Sequence, residues 1–308
     1  MKKLMIAAAM STAVFAQADE QKPAGAEQQP AQLEEKDDTF PVWGFGNYGI
    51  YSGYQLYGSL LNSEPTLQGY AEVNFNIPAD LGYIGVGVWS NTDLTDKRRD
   101  LYGKWFNEWD PNIHWSKTFW FDDDQKWGLQ YLTEFVWYYY PHGRGHDHNT
   151  HGKSHFQYGR KTMTTMDWNH YFELKNPYVT PYFKWVHEYH ENKANLFLGG
   201  LKKRVGLDEI AEGLAVTPLA ELVYRSHRYN WCFPTAGWSE VHGSGMASLR
   251  LGADINYQLT AHFGLFAKVY WCHTIDHSLR AAAEHGYGND YGQYKDFAWG
   301  GVGVTFNF

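Results

Sequence analysis

The chain has 308 residues, with 26 Lys and Arg against 34 Asp and Glu, a formal net charge of -8 and a sequence pI near 6.0, so it carries no basic footprint for nucleic acid. Aromatic residues make up 18% and glycines number 31, yet mean hydropathy is -0.54, because the apolar side chains stand singly between polar ones. No stretch beyond the first 18 residues approaches the ~18 consecutive apolar residues of a spanning helix, which excludes helical membrane spans, and two cysteines exclude a disulfide scaffold.

The chain opens with Lys2 and Lys3, then an apolar run from Leu4 to Phe15, then Ala16-Gln17-Ala18. A charged start, a short apolar centre and an A-x-A site mark a signal peptide over 1–18, cleaved near Ala18, so the mature chain is expected to begin near Asp19. Residues 19–38, DEQKPAGAEQQPAQLEEKDD, offer almost nothing to bury and read as a disordered periplasmic tether. The remaining 39–308 is one domain's worth if it forms a barrel.

From there an apolar/polar alternation of period 2 marks about twelve strands, near 40–58, 66–77, 83–91, 104–121, 127–140, 161–174, 178–190, 194–204, 215–229, 245–258, 262–274 and 294–308. Pro78-Ala79-Asp80, Asp122-Asp123-Asp124-Gln125, Lys175-Asn176-Pro177 and Leu259-Thr260-Ala261 read as tight turns at the second, fourth, sixth and tenth connections. The third, fifth, ninth and eleventh connections are long and polar or Gly-rich. The first and seventh are short, and the eighth, 205–214, has room for a helical turn.

The alternation also assigns faces. Leu67, Ala71, Val73, Phe75 and Ile77 point outward while Gln68, Glu72, Asn74 and Asn76 point inward; Leu249, Leu251, Ala253, Ile255 and Tyr257 oppose Arg250, Asp254 and Asn256. Tyr83, Trp89, Trp115, Trp120, Trp127, Trp137, Tyr139, Tyr257 and Trp271 fall near strand ends, where aromatic girdles form. In the last strand, Ala298, Gly300, Val302, Val304, Phe306 and Phe308 share one face and Gly301, Gly303, Thr305 and Asn307 the other. About ten residues of strict alternation is the length of a tilted strand crossing a bilayer. With its terminal aromatic this strand resembles the signal by which outer-membrane barrels are recognised for insertion. The expected fold is therefore all-β: a transmembrane antiparallel barrel of about 12 strands in the outer membrane, both termini periplasmic, over 39–308.

Ser52 to Phe75, SGYQLYGSLLNSEPTLQGYAEVNF, followed by Gly82 to Leu94, GYIGVGVWSNTDL, resembles the opening of the TorF-family porins of Gram-negative outer membranes. Those begin with a strand carrying Ser-x-Tyr and an aromatic, a short Pro-containing turn, an amphipathic strand, and a Gly-rich strand ending in Trp-x-Ser-Asn. The resemblance covers about a fifth of the chain plus the final strand, and this sequence departs in its His-rich fifth connection and long ninth one. It implies a small barrel passing solutes and carries no assigned active residue.

Candidate chemistry falls in four places. His142, His146, His148, His151 and His155 sit in HGRGHDHNTHGKSH, where imidazoles could gather a metal ion; no fixed ligand spacing is present, so a solvated outer loop is expected and no metal is assigned. Inward charges are the second group: Glu72, Glu134, Lys184, Glu221, Arg225, Arg250, Asp254 and Lys268 as pore-lining candidates, with Asp167, Glu173 and Glu188 beside them. Opposed acidic and basic walls would set a transverse field across a lumen, narrowed further by Phe266, Tyr270 and Trp299, whereas internal salt bridges would simply fill it. His114 and Ser116 share a face, but that face is the expected lumen, with Asn112 and Thr118 alongside; no catalytic residue is assigned and an enzyme is not expected. Cys232 and Cys272 are expected as two buried thiols, with one bridge permitted by export.

The expected function is a porin-like channel for passive diffusion of small hydrophilic solutes, without cofactor. Expected partners are outer-membrane lipid, the barrel assembly machinery and the solutes. The alternative is a non-conducting barrel, an adhesion or assembly scaffold, or a surface protein capturing metal through the His-rich loop. An open lumen favours the channel, and an inward-folded loop favours the scaffold.

Overall fold

The computed structural model describes residues 42–57, 59–62, 64–95, 107–140, 163–189, 193–226, 244–277, 280 and 296–308. Twelve long strands follow in chain order: β1 (Val42–Tyr51), β2 (Thr66–Asn76), β3 (Tyr83–Asp93), β4 (Asn107–Trp120), β5 (Gly128–Tyr140), β6 (Met163–Lys175), β7 (Thr180–Glu188), β8 (Ala194–Lys202), β9 (Leu214–Arg225), β10 (Gly245–Gln258), β11 (Phe263–Thr274) and β12 (Asp296–Asn307). Each pairs antiparallel with the next, and β12 pairs with β1, so the sheet closes into a barrel. Closure removes the unpaired edges that a sheet would otherwise present to lipid. An even strand count brings Val42 and Asn307 to one end, called here the turn end.

The turns at that end are built by the residues that named them. Ala79 and Asp80 take positive φ of 60° and 53° between β2 and β3. Asp122 Oδ1 accepts the backbone N–H groups of Lys126 (2.9 Å) and Trp127 (3.0 Å), and Asn176 Oδ1 those of Tyr178 (2.9 Å) and Val179 (3.1 Å). Between β8 and β9 the chain first adds a two-residue pairing, Val205–Gly206 against Ala215 and Val216. It then makes one helical turn, with Ala211 N–H donating to Leu207 C=O (3.1 Å).

Burial alternates along the strands as the faces require. On β3, Ile84, Val86 and Val88 are exposed while Gly85, Gly87, Trp89 and Asn91 are buried. Around the barrel Tyr48, Ile50, Ile113, Leu222, Leu251, Leu265, Val269 and Val302 continue the same outward apolar belt. A continuous exposed apolar belt around a polar interior inverts the pattern of a water-soluble barrel and matches a lipid-facing one. Trp127, Trp137, Tyr139, Tyr257 and Trp271 are exposed, as a girdle requires. Tyr83 and Trp89 are not girdle residues: they lie on the inward parity of β3, because Ile84, Val86 and Val88 take the lipid side.

The final residue completes the closure. Phe308 and Gly44 exchange backbone hydrogen bonds (Gly44 N–H to Phe308 C=O, 2.8 Å; the reverse, 3.1 Å). A Cβ on Gly44 would lie 2.2 Å from Phe308 Cζ, so the ring lies on bare backbone at the seam.

The first strand differs from its expected span. β1 ends at Tyr51 instead of Gly58, and the chain bends at Ser52-Gly53 into a small hairpin, Tyr54–Leu56 paired with Ser59–Asn62. Alternation continues through 54–57, but those residues are buried inside the barrel. Residues 1–38, the His-rich segment with its five histidines, and Cys232 lie outside the described residues.

Candidate functional site

The candidate site is the barrel lumen, and among the described residues the hairpin is its largest internal feature. Gly53 C=O accepts the Thr66 hydroxyl (3.1 Å) and the Gln68 amide (3.4 Å) on β2, and Tyr54 packs on Trp89 of β3 with ring centroids 5.4 Å apart. Across the barrel, Tyr57 takes φ 46° at the hairpin apex; its carbonyl accepts the Arg225 guanidinium of β9, and the Lys184 ammonium of β7 lies 5.4 Å from its ring centroid. Leu60 joins a buried cluster with Tyr51, Phe266, Tyr270, Cys272, Phe297 and Trp299. The hairpin thus spans the lumen from β2 and β3 to β7 and β9, and rests on β11 and β12. Gly301 makes room for this: a Cβ there would lie 2.3 Å from Tyr51 Cε1.

The eight inward charges all lie on inward strand positions, and Glu72, Lys184, Glu221, Arg225 and Arg250 are buried. Their arrangement is segregated. Glu72, Asp93, Glu108, Asp110, Glu134 and Asp167 come from β2–β6, an arc whose only inward Lys or Arg among the described residues is Lys175 at the turn end. Lys184, Arg225, Arg250 and Lys268 come from β7–β11. Two carboxylates on this second arc stand beside cations, Glu221 with Arg250 (2.9 Å) and Asp254 with Lys268 (3.9 Å), while Glu188 Oε2 accepts the Lys193 backbone N–H (3.1 Å). Arg250 also lies over Tyr270 (5.1 Å) and Trp299 (5.9 Å), and Glu221 accepts the Tyr182 hydroxyl (2.8 Å). The second arc is otherwise more apolar than its charges imply, since Val186, Leu196, Leu198 and Val223 are wholly buried on inward positions.

On the acidic arc the polar groups form short chains. Glu72 accepts Tyr70 OH (2.6 Å) and Asn74 Nδ2 (2.8 Å), Asp167 accepts Tyr138 OH (3.0 Å), and Glu134 accepts Asn169 Nδ2 (3.1 Å). Other buried atoms there and on the adjacent β1 find no partner among the described residues: both amide atoms of Asn91, Oδ1 of Asn112, Asn169 and, on β1, Asn47, Oε1 of Gln68, Nε1 of Trp89 and the amide of Gln55 on the hairpin.

His114 Nε2 lies 3.2 Å from Asn74 Oδ1 and 3.8 Å from Glu72 Oε2, and Ser116 Oγ accepts Gln130 Nε2 (3.3 Å). Both residues face inward on the acidic arc. Cys272 is buried, with its sulfur accepting Trp299 Nε1 (3.3 Å).

A cavity opens at the turn end. It measures about 340 Å³ and is lined by Lys126, Lys175, Lys202, Lys203 and Arg204, with Trp120, Gln125, Asn176, Pro177, Thr180 and Thr217. The sequence reading did not single out these cations. The available signal was the Lys202-Lys203-Arg204 run at the end of β8.

No protein-family model matches this sequence, and neither does any curated protein. Solved structures do match. An outer membrane channel from Pseudomonas putida F1 aligns over 90% of this chain and 99% of its own at 8% identity, with a TM-score of 0.50. KdgM porin aligns over 86% and 99% at 8% identity and a TM-score of 0.42. The outer membrane phospholipase of Salmonella typhi aligns over 89% and 94% at 9% identity and a TM-score of 0.43. At such identities the likeness is one of fold: this chain has the twelve-stranded closed antiparallel barrel of outer-membrane proteins.

Proposed function

We propose that this barrel is a porin-like channel of the outer membrane, passing small hydrophilic solutes by passive diffusion between the hairpin and the acidic arc. The observation that carries the reading is the set of unpartnered polar atoms on that arc. A buried amide left without a hydrogen bond costs about 1–3 kcal/mol, so Asn47, Asn91, Asn112 and Asn169 are accounted for by lumen water. The hairpin is held to β2 and β3 at its base and packs its apolar and cation-held side against β7, β9, β11 and β12, so the wet side is taken along β4–β6. Glu72 and Glu134 line that path, while Lys184 and Arg225 hold the hairpin on its far side, and the acidic lining would sort solutes by charge. The turn end is assigned to the periplasm and the long connections to the cell exterior, in keeping with the resemblance to TorF-family porins.

One observation favours a second reading. The hairpin crosses the whole lumen, as a closed scaffold would require. Swelling of proteoliposomes in isosmotic sugars separates the two: uptake of arabinose that falls with solute size is expected of the channel. Swelling no faster than in protein-free vesicles would contradict it.

A further inference from the structure

The turn-end cavity has a charge and a construction that salt bridging does not explain. Glu173 Oε1 and Oε2 each hold one ammonium, Lys175 of β6 and Lys202 of β8, both at 2.6 Å. Those two lysines are therefore placed side by side from strands that are not neighbours. Lys203 donates to Pro177 C=O, which ties the β8–β9 connection to the β6–β7 turn. Lys126, on the β4–β5 turn, pairs with Asp124 (2.6 Å) and remains largely exposed. Five cations and no carboxylate line the cavity, in a chain whose net charge is -8. A second observation is independent of charge. Thr217 is 3% exposed and lines the cavity, and its hydroxyl has no partner among the described residues.

We propose that this cavity is an anion-binding vestibule for small solutes carrying two or more carboxylate groups. The assignment rests on the channel reading for its biological sense, since it names the class of solute that the mouth would concentrate. A monovalent anion would neutralise only part of the excess charge. A di- or tricarboxylate can contact cations from the β4–β5, β6–β7 and β8–β9 sides at once while accepting the Thr217 hydroxyl. At about 340 Å³ the cavity is near the lower size of small-molecule sites, which suits one such molecule. Phosphate groups of lipid headgroups share the chemistry and are separated by the test.

The probe is citrate, titrated by calorimetry into the refolded full chain in lipid-free detergent. Saturable binding is expected, weakened roughly ten-fold in K126Q/K203Q/R204Q by loss of attraction in the cavity. Lys126 and Arg204 are exposed and Lys203 is half-buried at a turn outside the strands, so the variant should fold, which heat-modifiable gel migration checks. K117Q removes a lysine at the same end whose ammonium pairs with Asp80 (2.8 Å) and should leave citrate binding unchanged. No binding, or equal affinity in wild type and triple variant, would overturn the proposal. So would loss of citrate binding when phosphatidylglycerol is added to phosphatidylethanolamine nanodiscs, which would assign the cavity to lipid headgroups. Citrate binding without any conductance would leave the vestibule standing and remove the channel.

Discussion

At the residue scale, the interior is held by charges whose partners are specific. Glu221 and Arg250 are each about 1% exposed at the side chain and 2.9 Å apart, with Tyr182 on one and two aromatic rings beside the other. Removing one partner of a buried pair leaves the other uncompensated, so Glu221→Ala is expected to lower stability by about 3–5 kcal/mol in urea unfolding of the refolded barrel. The double variant Glu221→Ala with Arg250→Met should recover part of that loss, and equal losses in both would mean the pair is not the source. Residue faces were legible in the sequence wherever apolar neighbours fixed parity. Arg250 between Leu249 and Leu251 could face only inward. Trp89 was misplaced for the converse reason: an aromatic near a strand end suits either a girdle or a lumen, and only its alternation with Ile84, Val86 and Val88 decides.

At the element scale, strand boundaries other than the end of β1 lie within a few residues of the expected ones, because each strand must cover one bilayer and turns need particular side chains. Asp122 and Asn176 cap their turns by accepting backbone N–H groups, which is why those positions were readable. The hairpin was not readable. Tyr54, Leu56 and their neighbours keep period 2, so the pattern of a continuing strand and that of a strand folded inward are the same, and only contacts remote in sequence separate them. Lys184 and Arg225, which hold the Tyr57 apex, are more than a hundred residues away. The register itself is testable on the lipid side of β3. Val86→Arg places a charge at mid-strand on the outward face and is expected to cost about 2–4 kcal/mol in folding into lipid vesicles. A cost near zero would mean that this face of β3 does not meet hydrocarbon.

At the scale of the whole molecule, alternation, an even strand count and a terminal aromatic strand all converge on one closed sheet, and the structure closes it through β1 and β12 down to Phe308. What lies inside is set by tertiary contacts that no local pattern encodes. The inward charges were predicted as a list, and their division into an acidic arc on β2–β6 and a basic arc on β7–β11 emerges only once the strands are in a ring. The hairpin is the element that decides function, because it either narrows a hydrated path or stops it. The most direct measurement is single-channel conductance in planar bilayers, comparing the wild-type chain with a variant in which 54–62 is replaced by Gly-Ser-Gly, both shown folded by heat-modifiable migration. An open channel predicts discrete steps from the wild type and steps several-fold larger from the variant. A silent wild type, whether or not the variant conducts, would contradict it.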